Sequence, residues 1–277
     1  MTNLAFFFKQ RGATAAPSVR ARHPLSSGRA LFRSRWFAIG MAVAAVAWVL
    51  HVAAMTLAPL TDVQVVLAGG VVLVGVMADR LFGFAVGRRQ WLGLALTATG
   101  LVAFALTVPR SHGTHSSFSP AAMIGFELAL CAFGAILIAG PRAGAPRHHH
   151  GTMLGAASGI IFGASDIAIK ALTGIVGAHG LIGLASPWLG LTLIASVVAF
   201  FASAKSFQEG DAVPVIAITT ATANISSIAG GILVFGDPMP GGAFGIVAQS
   251  LAIVAIVIAA ALMPTLGARR GALAAAA

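Results

Sequence analysis

Acidic side chains are nearly missing from this chain: seven Asp and Glu stand among 277 residues. Hard divalent cations want several oxygen ligands, mostly carboxylates with retained water, so little is present from which to build a carboxylate cage. Charge of either sign is scarce. Charged residues make up 9% of the chain and apolar ones 58%, whereas soluble domains carry about 25% charged residues. One aqueous core cannot hide that much apolar surface. The single cysteine, Cys131, excludes an intramolecular disulfide and a cysteine metal cluster. It lies within an apolar span and reads as a small packing residue. No Gly-Lys-Ser/Thr phosphate loop occurs, so ATP hydrolysis by that device is excluded. No nucleophile–base constellation is legible. The chain reads as a non-enzyme without a cofactor.

What is present is a strongly patterned set of cations. Crossing a hydrocarbon core of about 30 Å takes about 20 helical residues. Eight stretches qualify: 36–58, 62–82, 91–108, 119–140, 152–173, 181–203, 211–235 and 241–263. When the gaps between them are assigned alternately to two sides, all 17 Lys and Arg except Arg110 and Lys170 fall on one side. Excess Lys and Arg in cytoplasmic loops orients membrane helices. The predicted topology puts the N-terminus outside and the C-terminus inside, with 9–35, 83–90, 141–151, 204–210 and 264–277 cytoplasmic. Trp36 and Trp91, just after Arg35 and Arg88-Arg89-Gln90, sit at the headgroup level. The net charge of +10 therefore reads as topology and contact with anionic lipid heads, not as nucleic-acid binding. The localisation is a plasma (inner) membrane, multi-pass, and the Ala/Gly/Arg bias suggests a high-GC bacterial source. The expected partners are membrane lipids and a small-molecule or ionic substrate; a homodimer is allowed.

Met1 to Phe8 is apolar and ends at Lys9-Gln10-Arg11. Eight residues cannot span, and they lack the basic start and cleavage site of a secretory signal. The stretch reads as the cytoplasmic end of a first helix truncated at Met1. An internal repeat agrees. Leu60-Thr61-Asp62-Val63-Gln64 resembles Gly210-Asp211-Ala212-Val213-Pro214, and Gln90-Trp91-Leu92-Gly93 resembles Gly242-Ala243-Phe244-Gly245. Thr2-Asn3-Leu4-Ala5 resembles Ser165-Asp166-Ile167-Ala168. The predicted fold is an all-α transmembrane bundle of two inverted four-helix repeats. The units are 1–118, with its truncated first helix, a linking helix 119–140, a second repeat 141–264 and a tail 265–277. Inverted repeats recur among transporters.

Ala58-Pro59-Leu60-Thr61-Asp62-Val63-Gln64 and Gly87-Arg88-Arg89-Gln90-Trp91-Leu92-Gly93-Leu94-Ala95-Leu96 resemble the drug/metabolite transporter superfamily, of the EamA-like kind. So does the stretch from Pro214-Val215-Ile216-Ala217 to Phe235-Gly236-Asp237-Pro238. The likeness runs from about residue 36 to 263. Its nearest shape is the nine-helix branch with the NIPA-type magnesium transporters, whose first helix exit Phe6-Phe7-Phe8-Lys9-Gln10-Arg11-Gly12 resembles. Gln64 is followed by Val65 where many relatives have Pro. These are packing and turn motifs, and they imply a fold more than a substrate.

Polar groups in a span are costly and face the bundle interior or a wet cavity. In 152–173, Gly155, Gly159 and Gly163 form a small-residue stripe for close helix packing. Asp166 and Lys170 continue it, spaced to pair at i, i+4. Either they line a substrate path, or Lys170 snorkels outward and Asp166 supports packing. Glu127 is either a proton-carrying carboxyl or a carboxyl wetted at the outer interface. In 211–235, Thr220, Asn224 and Ser227 share a face, which suits a solute path or interhelical hydrogen bonds. Gln64, Asn3 and Gln249 are amide candidates for the path or for packing. His51 reads as a hydrogen-bonded core histidine rather than a proton relay. His148-His149-His150 lacks a neighbouring carboxylate or Cys, and no metal site is assigned to it.

The leading expectation is a secondary transporter of a small metabolite, drug or lipid-linked intermediate. The alternatives are a NIPA-like magnesium or divalent-cation transporter and a non-transporting scaffold of an envelope complex. Polar stripes converging on one centre favour the first, and a bundle closed at its centre favours the last.

Overall fold

Proline and glycine punctuate this chain, and its helices start and stop where they fall. The computed structural model describes residues 1–20, 23–68, 70, 72–82, 87–107, 115–140, 144, 146, 149–238, 242–248, 251 and 255. Every described element is helical. In order they are α1 (Thr2–Thr14), α2 (Pro24–Phe32), α3 (Arg35–Leu57), α4 (Leu60–Ala68), α5 (Val72–Phe82), α6 (Arg88–Thr107), α7 (Pro120–Ala139), α8 (His150–His179), α9 (Pro187–Glu209) and α10 (Ala212–Phe235).

Ala58 is extended, as the residue before a proline must be, and Pro59 separates α3 from α4. Pro120 and Pro187 stand at helix starts, where a missing N–H costs nothing. Gly236 is left-handed and lets Asp237 N–H close back onto Gly231 O at 2.9 Å, which ends α10.

Five stretches are long and apolar enough to cross a membrane: Arg35–Leu57, Pro120–Ala139, His150–Leu184, Pro187–Glu209 and Ala212–Phe235. By length and composition the chain is a membrane-embedded helical protein. α10 is the central helix. Of its most apolar stretch 72% is buried, against 11% for α3 and 17% for α7, which keep apolar faces outward. One apolar cluster, around Phe7, Phe37, Phe207, Val215 and Ile216, joins α1, α3, α9 and α10. A second, around Met55, Leu60, Met123, Ile167 and Phe235, joins α3, α4, α7, α8 and α10.

Several boundaries differ from the sequence expectation. The span 62–82 is two helical segments, α4 and α5, on either side of Gly70. Glycine costs about 1 kcal/mol in a helix interior, and here Gly70 is in a 3-10 turn and its carbonyl accepts from Asn3 Nδ2 at 2.7 Å. α8 runs past 173 to His179, since Gly174 packs on Ser116 instead of ending the helix. The next helix then starts at Pro187 and not at 181. The expected loop 9–35 is largely helical. α1 continues to Thr14 with Lys9 buried and its ammonium 4.2 Å from the Phe6 ring centre, and α2 occupies 24–32. Long cationic side chains can be accommodated this way, stem on apolar surface and head on a ring. Of the expected span 241–263, residues 243–248 are helical and most of the rest lies outside the described residues.

Candidate functional site

The glycine stripe of α8 faces α10. A Cβ on Gly159 would stand 2.0 Å from Thr222 Oγ1 and 2.2 Å from Thr219 O, and one on Gly163 would stand 2.5 Å from Ser226 Cβ. At Gly155 the nearest atom would be Ile218 Cγ2, at 3.1 Å. Close approach lets α10 hydroxyls reach α8 carbonyls: Thr219 Oγ1 donates to Gly155 O at 3.0 Å and Thr222 Oγ1 to Ala156 O at 3.1 Å. Ser158 ties α8 to α9 by donating to Ala199 O at 2.9 Å. These hydroxyls are interhelical glue.

One turn beyond the stripe the character changes. Asp166 points at three other helices. Its Oδ2 accepts from Gln64 Nε2 of α4 at 2.9 Å and from Ser227 Oγ of α10 at 3.1 Å. Its Oδ1 faces His51 Nε2 of α3 at 3.2 Å. Four helices thus meet at one carboxylate. The His51 ring also forms part of the wall of an open cleft of about 440 Å³, with Leu50, Asp62, Val63 and Leu67 among its other walls. Asp62 and Thr2 are the other polar side chains of that mostly apolar surface.

Lys170 lies one turn further along α8 and is fully buried. It does not hydrogen-bond Asp166. Its Nζ donates to Met55 O and Ala58 O, each at 2.8 Å. The break at Pro59 leaves the last carbonyls of α3 without helical partners, and the ammonium takes them up. The other side of the same break is held by Asp237, whose Oδ2 accepts from Thr61 N–H at 3.0 Å and Thr61 Oγ1 at 2.7 Å. Two charges from the second half of the chain therefore clamp the α3–α4 junction of the first.

The other expected residues fall as follows. Asn3 and Thr220 meet, with Thr220 Oγ1 donating to Asn3 Oδ1 at 3.4 Å. Asn224 lies between Thr220 and Ser227 on the same face of α10, buried, and its Nδ2 has no hydrogen-bond partner. Glu127 shares the buried face of α7 with Met123 and Gly134, and both of its carboxyl oxygens are without a partner. It makes no hydrogen bond to the Asp166 group. Cys131 is free and half-buried. Gln249 and His148 lie outside the described residues. His150 Nδ1 pairs with Glu209 Oε2, a carboxylate the sequence did not place beside it. Among the described residues, no group of three or more His, Cys, Asp or Glu could hold a metal ion.

The structure thus brings Asp166 and Gln64 together and sets Thr220 with Asn3. Ser227, expected on the polar face of α10, and His51, expected as a hydrogen-bonded core histidine, join Asp166, and the Asp237–Thr61 pair is the addition. The one signal for His51 was its being the sole ionisable residue inside α3 after Arg35. Compared with protein-family models, curated proteins and solved structures, the chain matches none.

Proposed function

We propose that the chain is a secondary transporter-like membrane protein that carries a small metabolite, drug or lipid-linked intermediate past Asp166. The carrying observation is a membrane-helix carboxylate held by side chains of three other helices, with one of those side chains on a cleft wall. Ionisable groups inside a membrane are expensive and mark substrate or ion paths. Packing does not call for this one, since Gly155, Gly159 and Gly163 already bring α8 and α10 together. The face of α10 with Thr220, Asn224 and Ser227 continues the polar surface from Asn3 to Asp166, and the Asn224 amide has a hydrogen bond to give.

In this reading the architecture is two inverted four-helix units, 1–118 and 141–264, joined by α7, as the resemblance to drug/metabolite transporters implies. A correspondence supports it. Asn3 and Asp166 align in the internal repeat, and each bonds both its own half and the other. Asn3 takes Gly70 and Thr220, and Asp166 takes Ser227 of its own half and Gln64 and His51 of the other. The basic helix ends face the cytoplasm. His51 and Asp166 each lie 16 residues from the start of their helices, about 24 Å at 1.5 Å per residue, in the outer half of the span.

The test is uptake by reconstituted protein across a panel of labelled metabolites, drugs and divalent cations, magnesium included. At least one solute is expected to accumulate above protein-free vesicles. Asp166→Asn, inserted at wild-type level, is expected to lower that uptake by roughly tenfold or more, since hydrogen bonds to charged groups are worth about 1.5–3 kcal/mol. No uptake of any panel member, or wild-type uptake by Asp166→Asn, would sink the reading.

A further inference from the structure

The Asp166 group leaves one polar atom unused, and its position is informative. An ionised carboxylate only accepts hydrogen bonds. Asp166 Oδ2 takes two donors, Gln64 Nε2 and Ser227 Oγ, as the ionised form would. The proton between Oδ1 and His51 Nε2 then belongs to the imidazole. That sets the neutral ring as the Nε2–H tautomer, with a lone pair on Nδ1. Nδ1 is buried and has no hydrogen-bond partner. The pair holds one negative charge at the contact between a helix of the first half and a helix of the second, and its free valence is an imidazole nitrogen. Histidine is the side chain whose ordinary charge change falls between about pH 5 and 8.

We propose that His51 and Asp166 form a proton-binding site, whose occupancy sets the strength of the α3–α8 contact in the transporter proposed above. A proton binds the Nδ1 lone pair. The ring becomes imidazolium, Nε2–H stays on Asp166 Oδ1, and the pair changes from one negative charge to none. The contact, until then charged on the carboxylate side alone, becomes an ion pair with both partners charged, and it tightens. Loss of the proton from the same nitrogen weakens it again. A tie that strengthens and weakens between the two halves is what alternation around a fixed site requires. The inference rests on the transporter reading only for that last step; the proton site itself does not.

Among the described residues, few charged groups face the ring. From α8 there is Asp166 and, one turn on, Lys170, whose ammonium is held by Met55 O and Ala58 O. From α4 there is Asp62, and just before α1 there is Met1, the chain's first residue, both lining the cleft with His51. Lys9 of α1 meets α3 far away, at Gly40, and α2 meets it through Phe32 and Phe37. Asp62 is the competing base.

Leu50-His51 is the only Leu-His pair in the chain. Carbonyl-¹³C leucine with ¹⁵N histidine therefore picks out His51 without a substitution. The measurement is solid-state NMR of the full chain in lipid bilayers from about pH 5 to 8. The expected result is passage of His51 from the Nε2–H imidazole to imidazolium within that range. In Asp166→Asn the midpoint should move by about one pH unit or more, as the loss of a neighbouring charge does; in Asp62→Asn it should move less. A His51 that keeps one form throughout overturns the proposal, and so does a midpoint unchanged in Asp166→Asn or moved more by Asp62→Asn. The NMR readout needs no solute, so a failed uptake panel and a failed proton site are separate results.

Discussion

Single residues decide how the halves of this chain are held together, and Lys170 is the clearest case. Its ammonium is fully buried and spends two hydrogen bonds on the terminal carbonyls of α3. Lys170→Met keeps the stem and removes the donors, leaving buried carbonyls that cost about 1–3 kcal/mol when unpaired. The expected outcome is a melting temperature in detergent lower by several degrees, at about 2–4 °C per kcal/mol for a chain of this size. Asp237→Ala should act alike, since it unseats Thr61 at the other side of the break, whereas Asp237→Asn keeps an acceptor and should be milder. Equal melting of Lys170→Met and wild type would show that water replaces the ammonium there. At this scale the sequence was half legible. Asp166 stood out as an acid continuing a glycine face. His51, Gln64 and Ser227 were each legible as polar groups in a span, but not as its partners, because they are 115, 102 and 61 residues away. The i, i+4 spacing brings Lys170 within reach of Asp166, but the orphaned carbonyls at Pro59 attract the ammonium more, and only the folded junction reveals them.

Among the elements, α8 and α10 approach closely, and the stripe that joins them was plain in the sequence as glycine at every fourth position. Which helix it would meet was not, since a small-residue stripe specifies closeness and no partner. Glycine does not by itself set an end. The span expected to close at 173 continues through Gly174 and Gly177 to His179. Gly70, by contrast, lies between the α4 and α5 segments in a 3-10 turn, with Asn3 Nδ2 donating to its carbonyl. Tertiary contacts decide between the two outcomes. The contrast can be measured. Gly159→Ala would drive a methyl into Thr222 Oγ1 and the Thr219 carbonyl, whereas at Gly125 there is nothing within 4 Å. Overpacking costs about 1–3 kcal/mol, and alanine is favoured over glycine in an open helix by about 1 kcal/mol. Gly159→Ala should therefore lower the melting temperature in detergent, and Gly125→Ala should leave it unchanged or raise it. The reverse order would mean that α8 and α10 do not pack through Gly159.

For the whole molecule, the charge pattern predicts an orientation, and the fold gathers charges that the sequence had merely sorted by loop. Arg11 lies over the Trp36 ring at 4.2 Å, at the end of α1 and the start of α3. Phe7 and Phe8 of α1 meet Phe82, two residues past Arg80 at the end of α5. Gln208 near the end of α9 binds Ala13 O, Pro17 O and Val19 N–H, and Glu209 joins Lys205 to His150 at the start of α8. The cations of α1, α3, α5 and α9 thus share one end of the bundle, while Lys170 is buried toward the other. Such a basic end stays on the cytoplasmic side during insertion, where anionic lipid adds about 1 kcal/mol per Lys or Arg near the surface. Ser26, exposed hydroxyl side out on α2 between Arg20 and Arg29, marks this end. In a Cys131→Ser background, Ser26→Cys is expected to react with a membrane-impermeant maleimide only after the membrane is opened. Gly177→Cys, near the far end of α8 with open space around it, should react in intact cells. Labelling of Ser26→Cys from outside would invert the orientation, and with it the side on which the His51–Asp166 pair lies.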